Sequence, residues 1–431
     1  MFATSNTGGD YRGVSEHVRW HHFKESLIRF SVLLRTRIDV GGRSIVEIMN
    51  TFNEVYDDVL GKIPCANTID NWTRKCGLDT YNKNAEELRD REYCEIMDES
   101  MMVGSNKIVL TLAASAEHLQ HPLTHGDVTI IGIDTAESFN AEGIRQAAVK
   151  SAERVGHAPE YVITDNAKAM IKGVSDAGYR HHADITHSLG VFLERTYRDE
   201  EDFKEYCKQM SEAQFQHNMK RVAYLMPPRQ RTVTRFINLD NWVGWSLRVL
   251  KVYHRLESAE RAALSFVPAH ASLLDELSEV MHSVRFIERV CKHEGLSKSS
   301  ADKCVRYLTA TILQGNARMR RLGFFIINYL KKEVSWMRDD ETHNNSSDII
   351  ESSFGVFKSR KSPNKLYGVT SMVLVMPVFE KLSTKESAKE YNFKEHLENV
   401  KMHDIKLWKR TNLPENLVSK RINTLSPAAG F

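Results

Sequence analysis

At 431 residues the chain is too long for one ordinary core, and usual domain sizes imply about two to four domains. Apolar residues make up 42% and charged residues 27%, the composition of a globular protein, which excludes a fibrous or wholly disordered chain. The formal net charge of +3 is only mildly basic, so any nucleic-acid contact must come from how charge is distributed.

Residues 1–14 are small and polar, lack the basic and apolar regions of a signal peptide, and are expected to be disordered. A helical unit is predicted over 15–88. Val18, Phe23, Leu27, Phe30 and Leu34 recur near helical spacing between Ser15 and Arg37. A second helix is expected to start at Ser44, with Glu47 completing a capping-box pattern. After Gly61 and Pro64, the stretch NTIDNWTRKCG reads as a short helix with Asn67 as cap and Gly77 as stop. Ile69 and Trp72 then face inward, leaving Thr68, Asn71, Arg74 and Lys75 outside. These residue types suit a recognition helix in a DNA major groove, and equally the solvated face of a small helical bundle.

From about Glu92 the periodicity changes. YCEIMDES, KIVLTLAAS and DVTIIGIDTA are short runs rich in β-branched residues, punctuated by Gly104 and Gly126. Helices are predicted over Ala141 to Val155 and Lys168 to Ala177, with strands at YVITDNA and HHADITHSL. Three strands, a helix, a strand, a helix and a last short strand form the order of an RNase H-like α/β core over 89–190. Residues 191–340 read as a large all-helical insertion. The core resumes over 341–382 with a helix containing SSDIIESSFGVFKSRK, and 383–431 is expected to be a basic tail.

Six cysteines, Cys65, Cys76, Cys94, Cys207, Cys291 and Cys304, include no C-x-x-C pair, so neither a zinc ribbon nor a disulfide framework is indicated. The most apolar later segment, Leu322 to Leu330, falls far short of the roughly 20 residues that span a bilayer. We therefore expect a soluble intracellular protein with no membrane partner.

Asp98 ends the first strand and Asp165 a later one, and strand ends in an open α/β sheet line one crevice. Glu351 lies on a helix that Ser346 or Ser347 is placed to cap. Three converging carboxylates are natural ligands for two Mg²⁺ ions about 4 Å apart, the arrangement that cleaves phosphodiesters without a covalent protein intermediate. Taken singly, a strand-end Asp is more often a turn residue and a helical Glu is usually just solvated; the joint pattern is what carries weight. Rival acids are Glu95, Glu99, Asp134 and Asp348, with Asp134 the strongest by position. Lys358, two helical turns past Glu351, shares its face and suits a DNA phosphate.

These residues resemble the DDE-type transposases with an RNase H-like fold, particularly bacterial insertion-sequence and hAT-like enzymes with a helical insert before the last acid. The resemblance covers about Glu92 to Leu382. It implies that Asp98, Asp165 and Glu351 are the metal-binding triad, that Lys358 is the family's basic residue after the glutamate, and that the first helices bind DNA. It also matches Asp184-Ile-Thr-His187 to the family's D-x-x-H motif, with His187 on the scissile phosphate and Asp184 supporting it. A zinc site from His181, His182, Asp184 and His187, or a plain buried strand end, remain alternatives. In the insert, Trp242 and Trp245 are candidates to stack on a flipped base, or are core residues. Arg229, Arg231, Arg235, Arg318, Arg320, Arg321, Arg360 and Lys361 are candidate phosphate contacts.

The implied activity is metal-dependent cleavage and strand transfer at the ends of a mobile DNA element. Mg²⁺ is the expected cofactor, with Mn²⁺ able to substitute. The expected partners are terminal inverted repeats, target DNA and a second copy of the chain, in a bacterial cytoplasm at the nucleoid. A catalytically silent DNA-binding regulator and a structure-specific nuclease are the rival readings.

Overall fold

The computed structural model describes residues 18–100, 102–228, 236, 239–360, 366 and 368–426. Arg229, Arg231, Arg235, Lys361 and the side chain of Arg360 lie outside the described residues, so the phosphate contacts expected of them are not addressed.

Three helices open the described chain: α1 (Glu25–Thr36), α2 (Gly42–Val55) and α3 (Ala66–Glu86). The first starts later than its apolar spacing predicts. Ahead of it Trp20 adopts a positive φ of 66°, and the turn brings His21 Nδ1 to accept a bond of 2.9 Å from Trp72 Nε1. Helix α2 begins before Ser44, with Gly41 in the cap position, so the capping-box expectation fails. The largest departure is α3, which runs straight through Gly77 for 21 residues. The glycine is there for contact: a Cβ would sit 2.1 Å from the Leu374 carbonyl oxygen, so only a bare Cα lets that backbone approach.

A five-stranded mixed sheet forms the centre, in the order β3-β2-β1-β4-β5. Its members are β1 (Tyr93–Glu99), β2 (Lys107–Ser115), β3 (Thr129–Ala136), β4 (Val162–Thr164) and β5 (His181–Ala183). The first three pair antiparallel, while β1, β4 and β5 run parallel. Helices α4 (Ala141–Val155) and α5 (Lys168–Asp176) connect them. The bounds of α4 follow from its ends: Asn140 accepts from the Gly143 N–H at 2.9 Å, and Gly156 turns the chain out at φ 103°.

Burial explains the nearly continuous apolar strands, because both sheet faces are covered. Met97 and Val109 pack with Ile144 and Val174 on one face, and Ile96 and Leu110 pack with Ile350 and Phe354 on the other. The topology is compatible with the RNase H-like core expected from the strand order.

The insertion comprises α6 (Ile185–Tyr197), α7 (Glu201–His217), α8 (Leu239–Val252), α9 (Ser258–Ala263), α10 (Phe266–Ala269), α11 (Ala271–His293), α12 (Lys298–Ala310) and α13 (Ala317–Val334). It has a core of its own that begins at Ala183 and Ile185, the end of β5. The chain then returns through α14 (Asp348–Arg360) and α15 (Val375–Lys381).

The segment expected to be a tail carries α16 (Lys385–Glu390), α17 (Phe393–Asn399), α18 (Met402–Asn412) and α19 (Leu417–Leu425). Ala388, Tyr391, Phe393 and Leu397 from it share one core with Ile28, Ile45, Met49 and Trp72 of the first helices. No helix among the described residues is long and apolar enough to cross a membrane.

Candidate active site

Three neighbouring parallel strands end together. Ile96 pairs with Ile163, and Ile163 pairs with His182. Two residues beyond these paired positions come Asp98, Asp165 and Asp184, so one row across the sheet's carboxyl end carries three aspartates. This is the edge where open α/β sheets form their crevices.

Register also separates Asp98 from its rival Asp134. Directly paired residues point to the same face. Asp98 pairs with Leu110, whose face carries α14, whereas Asp134 pairs with Val109, on the face of α4. There Lys150 reaches Asp134 at 2.7 Å. The other rivals are likewise engaged: Glu99 pairs with Lys107, Asp348 with Lys292, and Glu95 accepts from Ser151 at 2.7 Å.

Charge converges at the row's end. Burial pushes the Asp98 carboxyl up to about 7, helped by the negative charge of Asp165 and, more weakly, of Glu351, while the Glu99 N–H and His187 oppose the rise. The acids thus sense one another. They do not yet close on a common point: among the described residues no three His, Cys, Asp or Glu side chains are arranged to hold a metal ion. Asp98 Oδ1 accepts from the Glu99 N–H at 2.7 Å and Asp165 Oδ1 from the Ala167 N–H at 2.9 Å, and each carboxylate has a second oxygen besides. The donor set nonetheless suits a hard cation, being three oxygen ligands whose mutual repulsion a divalent ion would relieve.

Asp184 organises the neighbourhood. Fully buried, it caps α6, with Oδ1 accepting from the His187 N–H at 2.7 Å and contacting His187 Nδ1 at 3.0 Å. Its other oxygen accepts from the Ser347 N–H at 2.6 Å and the Ser347 hydroxyl at 3.0 Å. Burial alone would raise this carboxyl, but the bonds from His187 and Ser347 hold it below the ordinary range. In return, the bond to Asp184 lifts the His187 imidazole to about 9 against the cost of burial, aided by the charges of Asp184, Asp165 and Asp98. His187 is therefore a cation at neutral pH, beside two strand-end acids.

The polar run ahead of α14 is stitched down residue by residue. His343 exchanges backbone bonds with Leu296 at 2.8 and 2.9 Å, the Asn344 N–H reaches the Tyr161 hydroxyl at 2.9 Å, and the Asn345 carbonyl accepts from the Ile185 N–H at 3.0 Å. Of the two expected caps, Ser346 Oγ accepts from the Asp348 N–H at 3.3 Å, while Ser347 is committed to Asp184. Glu351 emerges exposed on the next turn. Lys358 lies two turns on, half-exposed, 5.5 Å above the Phe354 ring.

The zinc alternative dissolves in these contacts. His181 bonds Thr164 at 2.8 Å, His182 bonds Glu333 at 2.8 Å and His343 at 3.0 Å, and His187 bonds Asp184. The imidazoles serve different partners. Of the buried Glu333–His182–His343 chain, which ties α13 to β5 and to the run before α14, the sequence singled out only His182, and that as a zinc alternative. Glu333 sits in an ordinary amphipathic helix, so nothing local marked it.

Most of the residues expected to contact DNA from the first helices and the insert have partners within the chain. Thr68, Asn71, Arg74 and Lys75 are only half-exposed, because α3 is enclosed by α1, α2, α15, α17 and α18. Thr68 Oγ1 lies 3.2 Å from Cys65 Sγ, Arg74 Nε donates to the Asp70 carbonyl at 3.0 Å, and Lys75 Nζ donates to the Leu397 carbonyl at 2.7 Å.

Trp242 is 2% exposed, packed against Phe203 and Tyr206, and leaves no face for a base. Trp245 is half-buried, stacked on Phe266, and donates to the Leu225 carbonyl at 3.1 Å. Arg318 is paired with Asp202 and Glu276 and Arg321 with Glu200, while the exposed Arg320 donates to the Gly315 carbonyl at 2.6 Å and keeps its charge.

Comparison with protein-family models and with curated proteins returned no match.

Proposed function

We propose that the chain is a metal-dependent DNA-cleaving and strand-transferring enzyme of the DDE transposase type, built on an RNase H-like core. The observation that supports this best is the placement of Asp98 and Asp165 side by side at the carboxyl ends of paired parallel strands, with Glu351 near enough to add a small part to the rise of the Asp98 carboxyl. A pure DNA-binding protein has no need of two carboxylates crowded at the end of a sheet with a third on the helix beside them.

In this reading Asp98, Asp165 and Glu351 hold two Mg²⁺ ions, with Mn²⁺ as substitute. Ions held there would supply Lewis-acid chemistry, a lowered pKa for water and charge neutralisation for the phosphate. The protein's own groups do the rest. His187, protonated at neutral pH, donates to a phosphate oxygen of the scissile strand, and Asp184 fixes the ring that does so. Lys358 contacts phosphate on the same helix face as Glu351. Recognition of element ends, attack of the freed 3′-hydroxyl on target DNA, and pairing of two copies complete the proposal.

Incubation with supercoiled plasmid and Mn²⁺ tests the central claim. Wild-type protein should nick, and Asp98→Asn or Glu351→Gln should reduce nicking by two orders of magnitude or more while leaving DNA binding intact. Equal nicking by the variants sinks the assignment; DNA binding without nicking by the wild type points to the silent regulator.

A further inference from the structure

The helix that carries Glu351 is held from two sides. Asp184 and Ser347 fix its start. On its flank a second group closes a ring around Ser352 and Ser353, the two residues that follow the acid.

His125, on the connection between β2 and β3, lies 2.8 Å through Nε2 from Ser352 Oγ and 2.6 Å through Nδ1 from Glu380 Oε2. The other oxygen of Glu380 accepts from Ser353 Oγ at 2.5 Å. A neutral imidazole with its proton on Nδ1 satisfies every member: it donates to Glu380, accepts from the Ser352 hydroxyl, and leaves Ser353 to donate to Glu380. Phe379 packs edge-on against the imidazole with centroids 4.8 Å apart, which fixes the ring plane.

Two facts set this ring apart from an incidental surface bond. The Glu380 carboxylate is wholly buried, and a buried carboxylate is costly unless its oxygens are committed. Both commitments lead to one turn of α14, directly through Ser353 and by way of His125 to Ser352. The constellation also has the order of a nucleophilic Ser–His–Glu triad. Ser352, however, is the fifth residue of α14, past its first turn, so its own backbone N–H is spent within the helix and cannot serve an oxyanion hole. Together with the packing of Ile350, Phe354 and Phe357 against the sheet, the ring opposes rotation of α14 about its own axis. Such a rotation would swing the exposed Glu351 carboxylate toward or away from Asp98 and Asp165, and misplacement by about 1 Å is enough to cost a hundredfold in rate.

We propose that His125 and Glu380 are positioning residues that set the azimuth of the Glu351 helix through Ser352 and Ser353, and so the closure of the three acids on a metal ion. This rests on the metal-nuclease reading above.

Ser352→Ala cuts the ring at its exposed member without opening a core cavity, and Ser352→Thr restores a hydroxyl. Using the full chain, we would measure Mn²⁺ affinity by electron paramagnetic resonance, plasmid nicking, DNA affinity and thermal melting. Ser352→Ala should weaken Mn²⁺ binding and slow nicking, each by about tenfold, the scale of lost outer-shell support. Its DNA affinity and melting point should match wild type, and Ser352→Thr should lie within about twofold of wild type throughout. Wild-type Mn²⁺ affinity and nicking in Ser352→Ala overturn the positioning role alone. A wild-type protein that neither binds Mn²⁺ nor nicks overturns the metal-nuclease reading, and this inference with it.

Discussion

Glu95 and Asp98 lie on the same strand, yet they point to opposite faces of the sheet and meet different environments. Glu95 is fully buried; one oxygen accepts from Ser151 and the other has no hydrogen-bond partner among the described residues. Burial pushes its carboxyl up to about 8, with the Ser151 bond opposing. The folded protein therefore keeps this proton where the unfolded chain, near 4.5, has lost it. Below 4.5 both states hold the proton and the favourable contribution is whole; from 4.5 toward 8 the unfolded state binds fewer protons, so stability falls as pH rises. The slope approaches about 1.4 kcal/mol per pH unit. Glu95→Gln cannot titrate, so the melting point of wild type relative to this variant should decline steadily between pH 5 and 8; parallel pH profiles would show that Glu95 is ionised in the fold.

At this same scale the sequence was informative in proportion to how local the cue was. Asp165 stands at an obvious strand end, and Glu351 at the expected place in its helix, with Lys358 two turns on. Choosing Asp98 over Asp134 needs the pairing register, which no local pattern supplies. His125 and Glu380 were illegible for a stronger reason: their partners lie 227 and 27 residues away, across a loop and two helices.

Among the elements, α3 departs furthest from expectation. Its Gly77 resembles a helix stop, because glycine is the usual residue just past a helix end. Here it serves close approach instead, a reason visible only once Leu374 is in place. Gly77→Ala should therefore destabilise the protein by about 1–3 kcal/mol through overpacking, despite alanine's better helix propensity. Denaturant melts would decide the matter, since a gain in stability would mean that the Leu374 turn yields freely. By contrast the bounds expected for α4 match the structure, where Asn140 and Gly156 occupy the two cap positions.

On the scale of the whole molecule, the N-terminal helices do not complete a core by themselves. Phe393 is fully buried among them, with the Arg29 guanidinium 5.9 Å from its ring centroid. Phe393→Ala should cost about 3–5 kcal/mol. Amide hydrogen exchange should then rise first in α1 and α3, while the insertion, which has its own core, stays protected. Uniform loss of protection would mean that the cores unfold as one unit.

That shared core has a consequence during synthesis. Lys75 waits for the carbonyl of Leu397, 322 residues downstream. At roughly 5–20 residues per second the ribosome needs about 15–65 s to deliver it. Until then the first helices are exposed with an unfinished apolar face, dependent on chaperones or on the nascent chain itself. These helices, synthesised well before their partners, are thus among the last elements to complete their core, and a ribosome stalled after the insertion leaves that core open.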